Sequence, residues 1–173
     1  MARLATPECL ILTLRLFGED NVLFSGDSLG ELTAWDTNHG TLIQTFNNLK
    51  ADVTCIEVNK ARGIVYATGV DARILSIQKD GASGQWVFLS LFRGQSNDIK
   101  SLIQLDASEL ISAGVNTDIC VYKLTKDGTL GDQYGKNSEQ QKAAAKLRHV
   151  PPFPQKSPIV YAEGLILLLN GSR

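Results

Sequence analysis

Two short stretches carry the side chains of acyl-transfer chemistry. Gly26-Asp-Ser-Leu29 offers the Ser28 hydroxyl, and Asp36-Thr-Asn-His39 offers an imidazole with a carboxylate three residues before it. A serine nucleophile needs its base within about 3 Å. The residues between them, 31–36, read as a strand, and six residues at about 3.3 Å each hold its ends roughly 20 Å apart. Ser28 and His39 are therefore expected in two separate turns, and the chain is expected not to be an enzyme. The three cysteines, Cys9, Cys55 and Cys120, are scattered, odd in number and without CxxC spacing. That fits a reducing compartment, with Cys55 and Cys120 as small buried side chains of strands. His39 and His149 have no co-ligand at metal spacing, and no glycine-rich phosphate loop is present. No catalytic residue, cofactor, metal or small-molecule substrate is expected.

Recognition is the other chemistry on offer. Asp27, Asp71 and Asn116 fall in turns between strands, where Asx residues fold the backbone back on itself. With their neighbours Leu29, Arg73 and Asp118 they form the candidate partner-binding set, because loops carried on a rigid sheet present contacts. A second candidate set is basic: Lys142, Lys146 and Arg148, in a segment that also holds Lys126, Lys136 and His149, could contact RNA phosphates. Asp127, Asp132 and Glu139 dilute that charge. The net charge of −1 and pI near 6.1 give the whole chain no basic field for nucleic acid.

The elements that must position these residues repeat three times. Phe24-Ser-Gly-Asp-Ser-Leu-Gly-Glu-Leu-Thr-Ala-Trp-Asp36, Ala67-Thr-Gly-Val-Asp-Ala-Arg-Ile-Leu-Ser-Ile77 and Ser112-Ala-Gly-Val-Asn-Thr-Asp-Ile-Cys-Val-Tyr122 share one plan: apolar run, glycine turn, apolar run. Aligned on Gly26, Gly69 and Gly114, the copies lie 43 and 45 residues apart. A period of about 40–45 residues holding only short strands marks the blades of a β-propeller. The predicted strands are 9–17, 21–25, 31–36 and 41–46, then 53–58, 64–68, 73–77 and 86–92, then 99–105, 109–112 and 118–124. Residues 1–8 are expected to be unstructured, and residues 9–124 to form three blades. Residues 125–157 read as a polar insertion without a strand in 125–145, carrying a short helix that opens on the capping box Ser138-Glu-Gln-Gln141 and stops before Pro151-Pro152. Residues 158–173 read as the first two strands of a further blade.

The fold class is thus all-β, an incomplete propeller of about three blades plus two strands. Such an assembly leaves faces open, so the chain is expected to be a fragment of a longer protein, or to find its missing blades in another chain. The apolar stretch at 9–17 is interrupted by Arg15 and reads as a strand rather than a signal, and 165–169 is too short to span a bilayer. No membrane partner is expected.

The repeated units resemble WD-repeat proteins: Gly30-Glu-Leu-Thr-Ala-Trp-Asp36 is similar to their third-strand signature Gly-x-Ile-x-Leu-Trp-Asp. Longer stretches resemble one group among them, the cirhin family of nucleolar WD-repeat proteins. These are Ser25-Gly-Asp-Ser-Leu-Gly30 through Trp35-Asp-Thr-Asn-His-Gly-Thr-Leu42, Gln85-Trp-Val87, Asp98-Ile-Lys-Ser101 through Leu110-Ile-Ser-Ala-Gly-Val-Asn-Thr-Asp118, and Leu147-Arg-His-Val-Pro-Pro-Phe-Pro154. The resemblance implies a non-catalytic scaffold of ribosome biogenesis, located in the nucleus and nucleolus. It also implies as partners other scaffold proteins of the small-subunit processome and the 5′ leader of pre-ribosomal RNA. This sequence departs from the family pattern at Ile77 and Tyr122, which replace the tryptophan, and at Gln95, where many repeats carry histidine. The Asp-His-Ser-Trp hydrogen-bond network of some blades is expected to be incomplete. Two alternatives stay open: a WD-repeat protein–protein adaptor outside the nucleolus, and an esterase of the GDSL type, whose nucleophile block Gly26-Asp-Ser-Leu29 resembles. In that esterase family the histidine motif lies near the far end of the domain, not beside the serine.

Overall fold

A computed structural model describes residues 9–18, 20–93, 95–115, 119–126, 129–133, 159–162 and 165–168, with side chains described as far as residue 130. Short β-branched and aromatic runs separated by tight turns give three antiparallel meanders. The first sheet is β1 (Ile11–Phe17), β2 (Val22–Asp27), β3 (Leu32–Asp36) and β4 (Thr41–Phe46). The second is β5 (Val53–Asn59), β6 (Ile64–Gly69), β7 (Arg73–Lys79) and β8 (Trp86–Arg93). The third is β9 (Ile99–Asp106), β10 (Glu109–Gly114), β11 (Ile119–Leu124) and β12 (Leu130–Gln133). A two-stranded sheet, β13 (Ile159–Ala162) with β14 (Leu165–Leu168), follows. The first strands adjoin in turn, β1 beside β5, β5 beside β9 and β9 beside β13. Successive sheets are therefore set radially around their first strands, as in a propeller.

Alternation along each strand sends one set of side chains to the preceding sheet and the other to the following one. Phe17, Phe24, Leu32 and Phe46 of the first sheet meet Val53, Ile56, Leu75, Ile77 and Trp86 of the second. Trp86 anchors this core, with Phe17 and Phe24 edge-on to it at 5.2 and 4.8 Å between ring centroids. The other face of the second sheet, Ile64, Tyr66 and Ile74, meets Ile99, Leu102, Leu110 and Tyr122 of the third. Both faces of β6 are buried, so all six of its positions are buried.

Two expectations change. The stretch 125–145 does hold a strand: β12 pairs with β11, Leu130 opposite Leu124, and completes the third sheet. Only four residues long and polar but for Leu130, it lacks the alternating pattern by which strands are read; a turn tied by Thr125 N–H to the Thr129 carbonyl at 2.9 Å creates it. The glycine alignment is also shifted in its first copy. Gly69 lies opposite Val53 and Gly114 opposite Ile99, but the residue opposite Ile11 is Asp27, not Gly26. Strand register therefore equates Asp27 with Gly69 and Gly114, Leu29 with Asp71 and Asn116, and Gly30 with Ala72. Gly30 has φ +88° and Ala72 φ +58°, so both occupy one left-handed turn position. The expected helix at 138–148 lies outside the described residues.

Candidate docking rim

The turns after β2, β6 and β10 lie along one rim, and the same backbone hydrogen bond fixes each. Ser28 N–H donates to the Leu10 carbonyl at 2.9 Å, Val70 N–H to Asp52 at 3.1 Å, and Val115 N–H to Asp98 at 3.1 Å. Each bond ties a turn to the residue leading into the first strand of its own sheet. Beyond that common bond the turns are held differently. Asp27 is buried and its carboxylate accepts from Leu29 N–H at 2.9 Å, Glu31 N–H at 2.8 Å and the Cys9 thiol at 3.1 Å. Burial, then the Asp27 hydrogen bond, pushes the Cys9 thiol up to about 11, so it stays protonated and donates. In the second turn, where Gly69 replaces the carboxylate, Asp71 does the work: it accepts from Lys50 N–H at 3.0 Å and pairs with Arg73 at 2.7 Å.

Of the six expected partner-binding residues, Asp27 thus turns inward, Asp71 and Arg73 engage each other, and Leu29 is open to solvent. Asn116 and Asp118 lie outside the described residues, as do Lys142, Lys146 and Arg148. The exposed chemistry of this rim is apolar. Leu29, Val70 and Val115 are 54%, 37% and 56% exposed, one on each of three successive turns. Val70 and Val115 occupy the same register position, and Leu29 stands one residue on. Around them lie the ion pairs Asp71–Arg73 and Asp98–Lys100, the latter at 3.2 Å. Apolar knobs with a charged surround are the anatomy of a protein–protein contact. Both valines stand directly after a glycine in the repeated motif, a signal readable in the sequence once the register is known.

The opposite rim is polar. Lys79 pairs with Asp20 at 3.0 Å, and Arg62 donates to the Thr125 carbonyl at 2.6 Å. Asp36, Asp80 and Asp106 cap its turns; hydrogen bonds from His39, from Ser83 and from Ser108 respectively hold their carboxyls below the usual range. Here the nucleophile–base pair separates as the spacing predicted. Ser28 Oγ accepts from Leu10 N–H at 3.1 Å on one rim, whereas His39 bonds Asp36 at 2.6 Å at the other end of β3. Among the described residues no three His, Cys, Asp or Glu side chains are grouped to hold a metal ion, and no helix is long and apolar enough to cross a membrane.

Inside the sheets the polar network differs from sheet to sheet. Trp35 Nε1 donates to Ser25 Oγ at 2.8 Å in the first. The register equivalents in the second are Ile77 and Ala67, an apolar pair that leaves no group unsatisfied. In the third, Gln95 Nε2 donates to Ser112 Oγ at 2.9 Å, and that oxygen lies 2.8 Å from the Tyr122 hydroxyl. Gln95 and Tyr122 thus rebuild with other side chains part of what the substitutions were expected to remove.

No protein-family model matches the chain. It is similar to U3 small nucleolar RNA-associated protein 4 of Saccharomyces cerevisiae, 32% identical over 58% of the chain, and to that of Schizosaccharomyces pombe, 28% identical over 59%. The homolog of Homo sapiens is 26% identical over 60% of the chain. The chain spans only 14–16% of the length of these relatives. Among solved structures, a chain of the crystal structure of the mitotic checkpoint complex superposes with a TM-score of 0.61 at 16% identity, over 78% of this chain and 41% of that one. That likeness is one of fold, the WD-type propeller.

Proposed function

We propose that the chain is a non-catalytic scaffold in early small-subunit ribosomal RNA processing, acting in the nucleolus by docking other processome proteins. The relatives named as U3-associated proteins support the pathway. The observation that carries the mode of action is the row Leu29, Val70 and Val115, each held out to solvent on a turn that a backbone hydrogen bond fixes. Because a backbone hydrogen bond ties each turn to its own sheet, less ordering entropy opposes docking, and shallow apolar contacts suffice. The pre-ribosomal 5′ leader is the proposed RNA partner, with Lys142, Lys146 and Arg148 as its phosphate contacts.

Depleting the chain from its own cells and following pre-ribosomal RNA by hybridisation tests the pathway. Loss of mature small-subunit RNA with accumulation of uncleaved leader-containing precursor is expected. Normal processing after complete depletion would contradict it. Ultraviolet crosslinking tests the RNA partner: leader sequence recovered with the chain, and lost when Lys142, Lys146 and Arg148 become Glu, is the expected result. An absence of leader sequence would leave a protein-only adaptor.

A further inference from the structure

The loop between β4 and β5, residues 47–52, joins the turn of Leu29 to the turn of Val70. A Cβ at Gly30 would lie 2.7 Å from the Leu49 carbonyl oxygen and 3.1 Å from Ala51 N, so the first turn abuts this loop. On its other side Lys50 N–H donates to the Asp71 carboxylate at 3.0 Å. Among the described residues, the first and second sheets alone wall this junction, and three cations gather in it. Arg73 and Arg93 stand directly opposite each other on β7 and β8. Leu75 and Leu91, two residues along each strand, pack on the core shared with the first sheet, so alternation puts both arginines on that side.

One carboxylate answers them. Asp71 takes Arg73 with both oxygens, from Nε at 2.8 Å and from Nη2 at 2.7 Å. The Arg93 guanidinium and the Lys50 ammonium are exposed and, among the described residues, unpaired. The neighbouring acids face elsewhere. Asp52 precedes Val53 and Glu31 precedes Leu32, and both of those apolar residues point into the core between the two sheets, so the acids alternate away from it. Like charges directly opposite in a sheet repel. A surplus of positive charge therefore stands between two exposed apolar knobs, and what complements it is an anion flanked by apolar groups. The knobs are aliphatic, whereas single-stranded RNA is held by aromatic stacking. The complement is thus a protein segment.

We infer, resting on the reading of this rim as a docking surface, that Lys50 and Arg93 receive an acidic side chain of the partner protein, whose flanking apolar residues meet Leu29 and Val70. Carbodiimide coupling of the tagged protein, purified with its partners from its own cells and read by mass spectrometry, tests this. The reagent joins a carboxylate to an amine in contact with it. Lys50, and the amine that Arg93→Lys introduces, therefore report which acid lies against them. Both should couple to an Asp or Glu of another protein, in a segment with apolar neighbours. Arg93→Glu should lower recovery of that protein about fivefold at about 0.1 M salt and by much less at about 1 M, where charges are screened. Arg93→Lys should recover it as the wild type does. The Lys50 coupling needs no variant, so it decides the matter even if Arg93→Glu misfolds. Coupling only to carboxylates of the protein itself, no coupling, or ultraviolet crosslinks from Lys50 to RNA would overturn the inference. Loss of the partner on replacing Leu29, Val70 and Val115 by Asp, but not in Arg93→Glu, would overturn it too and leave the rim standing.

Discussion

The Tyr122 hydroxyl lies 2.8 Å from Ser112 Oγ, across the same strand pair and in the same register as Trp35 and Ser25 in the first sheet. A tyrosine thus fills a place that tryptophan holds elsewhere, reaching the same partner from a fully buried ring. Replacing Tyr122 by Phe keeps the packing against Phe92 and removes the hydroxyl. It should cost about 1–2 kcal/mol in denaturant unfolding, since the hydroxyl's bond to Ser112 is lost while Gln95 still donates to Ser112 Oγ. A double-mutant cycle with Ser112→Ala should give a coupling on the order of 1 kcal/mol; independent, additive effects would show that the contact does nothing.

Gly69 has no room for a side chain. A Cβ there would sit 1.8 Å from the Asp52 carbonyl oxygen, which already accepts the Val70 hydrogen bond. Gly69→Ala should therefore push two backbones apart and cost roughly 3 kcal/mol or more, at the upper end of single substitutions. Gly81→Ala, whose Cβ meets nothing within 4 Å, should leave the thermal midpoint within a few degrees of the parent. Equal midpoints for the two variants would refute the close approach.

Ala72 sits at φ +58° where its counterpart Gly30 sits at +88°. An L side chain in that region costs about 1 kcal/mol. Ala72→Gly should raise stability by about 0.5 kcal/mol, the relieved strain being partly offset by the greater freedom of glycine in the unfolded chain. A clear loss of stability would place Ala72 in an ordinary conformation.

Glu57, on β5, reaches across to Arg15 of β1 at 2.7 Å. Burial raises its carboxyl despite the guanidinium, so the folded chain takes up this proton more readily than the unfolded one. Ionised Glu57 is then a cost at neutral pH that fades as pH falls through its raised folded value. Glu57→Gln should match or exceed the wild type at pH 7, by up to about 1 kcal/mol, with the gap closing below the carboxylate range near pH 4. A variant less stable than the wild type at pH 7 would make the ion pair a net contributor.

The architecture was legible because three copies repeat one pattern of strand and turn. All eleven strands expected before residue 125 are present. Register was harder to read: a glycine at 26 and an aspartate at 27 sit side by side, and only pairing with β1 shows that Asp27, not Gly26, matches Gly69 and Gly114. Asp27 stands among the expected rim contacts because Asx residues mark turns; its carboxylate accepts from Leu29 N–H, Glu31 N–H and the Cys9 thiol. β12 escaped notice since an outer strand needs few apolar residues; its Leu130 is buried in the core with Leu124.

The central claim is that the rim of these sheets docks the small-subunit processing machinery through Leu29, Val70 and Val115. The most direct measurement compares tagged wild type with the triple variant Leu29→Asp, Val70→Asp and Val115→Asp, scoring co-purified U3 RNA against an untagged control. The exposed positions should tolerate the change, so the variant should keep the wild-type circular dichroism and melt. The wild type is predicted to enrich U3 RNA at least tenfold and the variant to lose most of that enrichment, as three lost apolar contacts of about 1 kcal/mol each require. Equal recovery by the two folded proteins, or none by the wild type, would contradict the account.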